Sequence, residues 1–167
     1  GLHFLERRPK KEEGSPERRR DVILCGYNRI GFNIVNSLRS LSKDFLVVDH
    51  NPETIKKLMA QGVPCMYGDI GDVDVMEQLD LSKASMVIST VPDADDTNLL
   101  IRKVREKNLQ AALIVTASQL KEAVEFYDSG ADYVVLPHFL GGEHVSRLIE
   151  QFSEDPINII NTRLKHI

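Results

Sequence analysis

Six short apolar runs punctuate this chain, each bounded by polar residues or turn formers. They are 21–26, Phe45–Asp49, Val63–Tyr67, Met86–Thr90, Leu113–Thr116 and Tyr133–Leu136. Short runs rich in Val and Ile read as buried strands. Between them the apolar positions recur every three to four residues, which predicts helices at about 29–41, 53–61, 72–79, 94–107, 119–128 and 140–152. Strict strand–helix alternation predicts an α/β fold, a parallel sheet covered by helices on both faces. Right-handed crossovers through six strands then give the doubly wound order 3-2-1-4-5-6.

In such a sheet a ligand lies over the carboxyl ends of the strands, where the strand order reverses. The first strand there runs into Gly26-Tyr27-Asn28-Arg29-Ile30-Gly31, a Rossmann-like dinucleotide fingerprint with its middle glycine replaced. Gly26 suits the tight turn, and Gly31 lets the helix pack close to the strand. Asn28 stands where a glycine usually lets a diphosphate approach, and asparagine tolerates left-handed backbone angles better than most residues. Arg29, at the expected helix start, is a phosphate donor candidate.

Asp49 ends the second strand 18 residues after Gly31, close to the spacing of about 20 for a ribose-binding acid. A carboxylate there accepts hydrogen bonds from both ribose hydroxyls and repels a 2′-phosphate. Asn51-Pro52 supplies the cap for the helix that follows. Asp69, after the third strand, is placed to meet an adenine amino group, with Ile70 against the ring; the alternative is a cap for the helix near 72. Ser89-Thr90-Val91-Pro92 leaves room for ribose or phosphate. Asp93, Asp95 and Asp96 crowd the next helix start, where the helix dipole favours them, and are not expected to hold a metal. Thr116-Ala117-Ser118 ends the fifth strand. His138 reads as a loop histidine before the last helix rather than a catalytic base. No nucleophile–base arrangement, zinc spacing or Walker A loop is present.

Length and composition fit one soluble globular domain: 167 residues, 42% hydrophobic and 28% charged. No apolar run is long enough to span a membrane. Cys25 and Cys65 fall on strands two positions apart, roughly 9–10 Å across the sheet, too far for a disulfide. Both are expected to be buried thiols in a reducing, cytosolic setting. Residues 1–20 carry seven Lys/Arg against four Glu, while the remainder carries fourteen against twenty-one. The acidic remainder argues against nucleic acid as a partner. The first twenty residues are expected to be a flexible charged linker, either simply solvated or a connector near anionic headgroups. Residues 153–167, with Ile157, Ile159, Ile160 and Leu164, form a tail too apolar to be solvated, suited to packing on the domain, a partner or a following domain.

Taken together, Cys-Gly-Tyr-Asn-Arg-Ile-Gly, Val-Val-Asp-His-Asn, Tyr-Gly-Asp-Ile, Ser-Thr-Val-Pro-Asp and Gly130-Ala131-Asp132-Tyr133-Val134-Val135-Leu136-Pro137 resemble the N-terminal lobe of RCK domains, also called Trk-type NAD-binding domains. The resemblance covers about residues 21–152. It implies a non-enzymatic regulatory domain on the cytoplasmic face of the cell membrane. Its partner would be a potassium channel, a potassium transporter or a cation/proton antiporter, and it would pair as a homodimer or within a larger ring. It implies NAD(H), AMP, ADP or ATP as ligand. Gly26, Tyr27, Asn28, Arg29, Ile30, Gly31, Asp49, His50, Asp69, Ile70, Thr90 and Val91 would line that nucleotide. Two departures weaken the phosphate side: Asn28, and Thr-Ala-Ser-Gln where many relatives carry an arginine after strand five. The alternatives are an NAD-dependent oxidoreductase domain, for which about 130 folded residues leave little room, and an interaction module whose nucleotide site has decayed.

Overall fold

The computed structural model describes residues 20–154. The expected linker up to residue 19 and the apolar tail from residue 155 lie outside the described residues. The strands are β1 (Val22–Cys25), β2 (Phe45–Asp49), β3 (Cys65–Tyr67), β4 (Met86–Ser89), β5 (Ala112–Thr116) and β6 (Tyr133–Val135). They form one parallel sheet of order β3-β2-β1-β4-β5-β6, as the alternation of elements predicts. The helices are α1 (Gly31–Ser40), α2 (Pro52–Ala60), α3 (Val73–Gln78), α4 (Ala94–Lys107), α5 (Leu120–Ser129) and α6 (Pro137–Glu154), with a single 3-10 turn at Leu81–Lys83.

The alternation of side chains along each strand divides the core in two. Val22, Leu24, Phe45 and Val47 point to the face covered by Val35 and Leu38 of α1 and Ile55 and Leu58 of α2. Ile23, Cys25, Leu46, Val48, Leu113 and Val115 point to the other face, against Met76 of α3, Leu100, Ile101 and Val104 of α4 and Phe126 of α5. Central β1 is buried at every position because it has neighbours on both edges and both faces. Burial pushes the Cys25 thiol up to about 12. Cys65 is only half-buried, since β3 is an edge strand; both thiols are free.

Local chemistry fixes the element ends. Asn51 caps α2 by accepting from the Glu53 N–H at 2.9 Å, with Pro52 in the first turn. Asp72 caps α3 and Asp93 caps α4 in the same way. The Gly-Ala-Asp stretch before β6 has a structural explanation. Gly130 ends α5 at φ +120°, and Arg105 of α4 reaches across to donate to the Gly130 and Ala111 carbonyls at 2.8 and 2.9 Å and to Asp132 at 2.8 Å. Asp132 also accepts from the Leu113 N–H at 2.7 Å. That bond, followed by the Arg105 guanidinium, holds its carboxyl below the usual value.

Two expectations need correction. The last helix, expected from about residue 140 with His138 in the loop before it, starts at Pro137, so His138 lies in its first turn. A proline locked near the helical φ starts a helix well, and the two glycines weaken it without breaking it. Arg20, assigned to the linker by its charge, is 2% exposed and pairs with Asp44 at 2.7 Å. None of the residues of α6 is buried, and Phe139, Leu140, Val145 and Ile149 are exposed.

Candidate functional site

The switch point lies between β1 and β4, the strands after which the chain departs in opposite directions along the sheet. Gly26 leaves β1 at φ +89°, its N–H donating to the Val48 carbonyl at 2.8 Å. Thr90, at the end of β4, donates through Oγ1 to the Gly26 carbonyl at 2.8 Å. Gly31 starts α1 so close to the turn that a Cβ there would sit 2.9 Å from the Gly26 oxygen. The left-handed residue of the loop is Arg29, at φ +61°, not Asn28. The residue preceding the helical turn thus absorbs the bend, and both side chains stay exposed.

Asp49 is 5% exposed and holds this loop in place. Its carboxylate accepts from the Tyr27 N–H at 2.9 Å and from the Asn51 N–H at 2.8 Å. Since Asn51 itself caps α2, Asp49 is free of capping work. Asp69 bonds the Gly71 N–H at 2.8 Å and leaves the α3 cap to Asp72.

A cleft of about 200 Å³ opens over these strand ends. Of the residues predicted to line a nucleotide, it brings together Gly26, Asp49, His50, Asp69, Ile70 and Val91. Asn28, Arg29, Ile30 and Thr90 line a neighbouring cavity of about 70 Å³. Tyr27 and Gly31 line neither. Tyr27 packs against the core under α1 and α2 and contributes its N–H to Asp49, while Gly31 serves the close packing of α1.

Sequence reasoning missed Asp96 as a wall of the cleft. It stands three residues after the α4 cap and leans over Gly71, where a Cβ would collide with its Oδ1. The helical offset from Asp93 is the signal that places it on the same helix end. Partial burial and the charges of Asp93, Asp69 and Asp95 push its carboxyl up, and His50 opposes them. A carboxyl whose folded-state pKa is raised costs stability above that pKa and costs nothing once both states are protonated. Asp96→Asn is therefore expected to raise the melting temperature at pH 7. The gain should fade as pH falls toward the ordinary carboxyl value of 3.8. Calorimetric melts at neutral and acid pH check it; a destabilised variant at pH 7 would contradict the cleft electrostatics. Among the described residues no group of three or more His, Cys, Asp or Glu is arranged to hold a metal ion. Among the described residues, no helix is long and apolar enough to cross a membrane.

A glycine turn at the switch point, an acid ending β2 and a cleft between them define a domain of the Rossmann type, open where that fold places a ligand. More narrowly, the chain belongs to the TrkA-N domain family, whose model matches residues 22–137. It is 22% identical over 128 residues to potassium channel protein 1 of Methanocaldococcus jannaschii, a match covering 75% of this chain and 38% of that protein. It is 27% identical over 127 residues to the glutathione-regulated potassium-efflux system protein KefC of Cronobacter sakazakii, covering 76% of this chain and 20% of KefC. The chain thus matches only a minor part of either relative.

Among solved structures, the TrkA-N domain of inner membrane protein ybaL from Escherichia coli superposes with a TM-score of 0.72 at 21% identity, covering 79% of this chain and 98% of that one. The NAD(P)-binding domain of an exopolyphosphatase-related protein from Archaeoglobus fulgidus gives 0.68 at 27% identity, with coverages of 80% and 99%. The Shewanella denitrificans Kef CTD in its AMP-bound form gives 0.63 at 19% identity, with coverages of 87% and 94%.

Proposed function

We propose that this chain is the nucleotide-sensing regulatory domain of a potassium channel, potassium transporter or cation/proton antiporter, acting on the cytoplasmic face of the cell membrane. The observation that carries the reading is the convergence of Gly26, Asp49, His50, Asp69, Ile70 and Val91 on one cleft at the switch point of a TrkA-N domain. Asp49 would accept the ribose hydroxyls, Asp69 and Ile70 would meet the adenine, and Arg29 and Asn28 would face phosphate. NAD(H) or an adenine nucleotide fits this division. The Archaeoglobus domain is named as NAD(P)-binding and the Kef domain was solved with AMP, which supports the same ligand class.

The domain works without catalysis, by shifting a homodimer or larger ring between two arrangements that its membrane partner feels. A ligand drives such a shift only by binding one arrangement better than the other. Support for self-association comes from the apolar residues left exposed along one end of the domain: Leu120 and Val124 of α5, Tyr133 of β6 and Phe139, Val145 and Ile149 of α6.

Calorimetric titration with NADH, NAD, AMP, ADP and ATP tests the first half of the reading, and sedimentation or small-angle scattering with and without ligand tests the second. Micromolar binding with a change in the shape of the assembly is the expected result. A chain that self-associates but binds none of the five even at millimolar concentration is an interaction module with a decayed site.

A further inference from the structure

In a parallel sheet each crossover helix returns the chain to the amino edge, here the edge opposite the cleft. Three of the four most exposed large apolar side chains among the described residues stand at that edge. They are Leu41 after α1, Met59 in the last turn of α2 and Leu109 after α4, at 67%, 68% and 76% exposure. Exposed cations accompany them: Arg39, Lys43, Lys57 and Lys83. The Arg39 guanidinium donates to the Gln61 carbonyl at 2.8 Å, which joins the ends of α1 and α2. Lys43 adjoins Asp44, the partner of Arg20. Among the described residues Lys43, Lys57 and Lys83 pair with no carboxylate, while Asp21 and Asp80 oppose them from neighbouring loops. The helix dipole accounts for Arg39 and Lys57, which lie in last turns. It does not account for Lys43, or for bare Leu and Met side chains set among the cations. The carboxyl edge has the opposite character, with Asp49, Asp69, Asp93, Asp95 and Asp96 at strand ends and the start of α4.

Resting on the reading that the domain acts at a membrane face, we propose that its amino edge docks on an anionic lipid surface. Leu41, Met59 and Leu109 enter the headgroup layer, and Arg39, Lys43, Lys57 and Lys83 meet lipid phosphates. Exposed apolar side chains ringed by Lys and Arg suit that layer, because the long basic side chains reach headgroups while the apolar ones leave water. From the loop before β3 to Leu109 before β5 the surface spans four strand spacings, about 19 Å. A contact that broad fixes an orientation. Repulsion of the acidic edge fixes the same one, with the cleft turned away from the lipid and open to solution. The first twenty residues, seven of them Lys or Arg, join the domain on the lipid side through Arg20.

The 167-residue chain is titrated with vesicles of phosphatidylcholine alone or mixed with phosphatidylserine, and bound protein is read by co-sedimentation. Binding should require phosphatidylserine and fall as salt rises. Each cation near such a surface is worth about fivefold, so Lys43→Gln with Lys57→Gln should weaken binding about twenty-five-fold. Leu41→Ser with Met59→Ser should also weaken it, whereas Lys121→Gln on the carboxyl edge should leave it unchanged. All five positions are exposed, and circular dichroism verifies that the variants fold. Absence of binding, equal binding to phosphatidylcholine alone, or equal loss in Lys121→Gln overturns the inference. So does unchanged binding in the lysine pair, which would assign attachment to residues 1–20. Each of these failures leaves the nucleotide-sensor reading standing, since the nucleotide titrations test that separately.

Discussion

Gly26→Ala is expected to destabilise the domain by about 3 kcal/mol. An L-residue held at the observed φ of +89° costs about 1–2 kcal/mol. The added Cβ would also lie 2.5 Å from Thr90 Oγ1 and 3.3 Å from the Val91 side chain. Thr90 has little freedom to retreat, because the same oxygen is bonded to the Gly26 carbonyl at 2.8 Å, and giving up that bond costs about 1 kcal/mol more. Urea unfolding should show a lower midpoint with an unchanged slope. A loss below about 1 kcal/mol would mean that the turn relaxes where the packing says that it cannot.

On the proposed assignment of Asp49 to the ribose, Asp49→Asn is expected to weaken nucleotide binding by about tenfold to a hundredfold, because a neutral amide replaces a carboxylate acceptor. Its effect on stability is separate. The buried carboxylate accepts from both Tyr27 and Asn51, and an amide oxygen replaces only one of its two oxygens. The remaining N–H then faces an amide NH2, at a cost of about 1–2 kcal/mol. Asp49→Ala would leave both N–H groups without their acceptor and loosen the loop itself. It therefore confounds binding with folding, and the asparagine variant is the cleaner probe. Unchanged affinity in a folded Asp49→Asn protein would remove this residue from the ligand site.

The sheet was legible because β1, β2, β4 and β5 are continuous apolar runs separated by helical periodicity, and burial on both faces leaves such runs no other place. The Asn51-Pro52 cap was legible for the same reason: it is local chemistry. What escaped was set by contacts distant in sequence. The last helix is an exception: its start at Pro137, ahead of the expected residue 140, is local chemistry that the apolar periodicity passes over. Asn28 is the better left-handed residue by intrinsic preference, yet Arg29 takes that conformation because the loop is held at Tyr27 by Asp49. Gly130-Ala131-Asp132 carried family resemblance only, and its physical meaning depends on Arg105, twenty-five residues before Gly130. At the candidate site, topology alone placed Gly26, Asp49, Asp69, Ile70 and Val91 at the strand ends that line the cleft, whereas His50 came from the family resemblance. Asp96 and His138 were not read as walls, because each comes from the first turn of a helix rather than from a strand end.

The buried Arg20 has a mechanical consequence. Its pairing with Asp44 fastens the chain to the amino edge of the sheet, one strand length from the cleft at the carboxyl edge. β1 follows immediately, hydrogen-bonded along its length to β2 on one side and β4 on the other. Tension applied through Arg20 along the strand direction therefore loads those two ladders in shear, with many bonds sharing the force at once, rather than peeling them one by one. The sheet would carry such a pull as a stiff strut, and compliance would be left to the loops and helices around it.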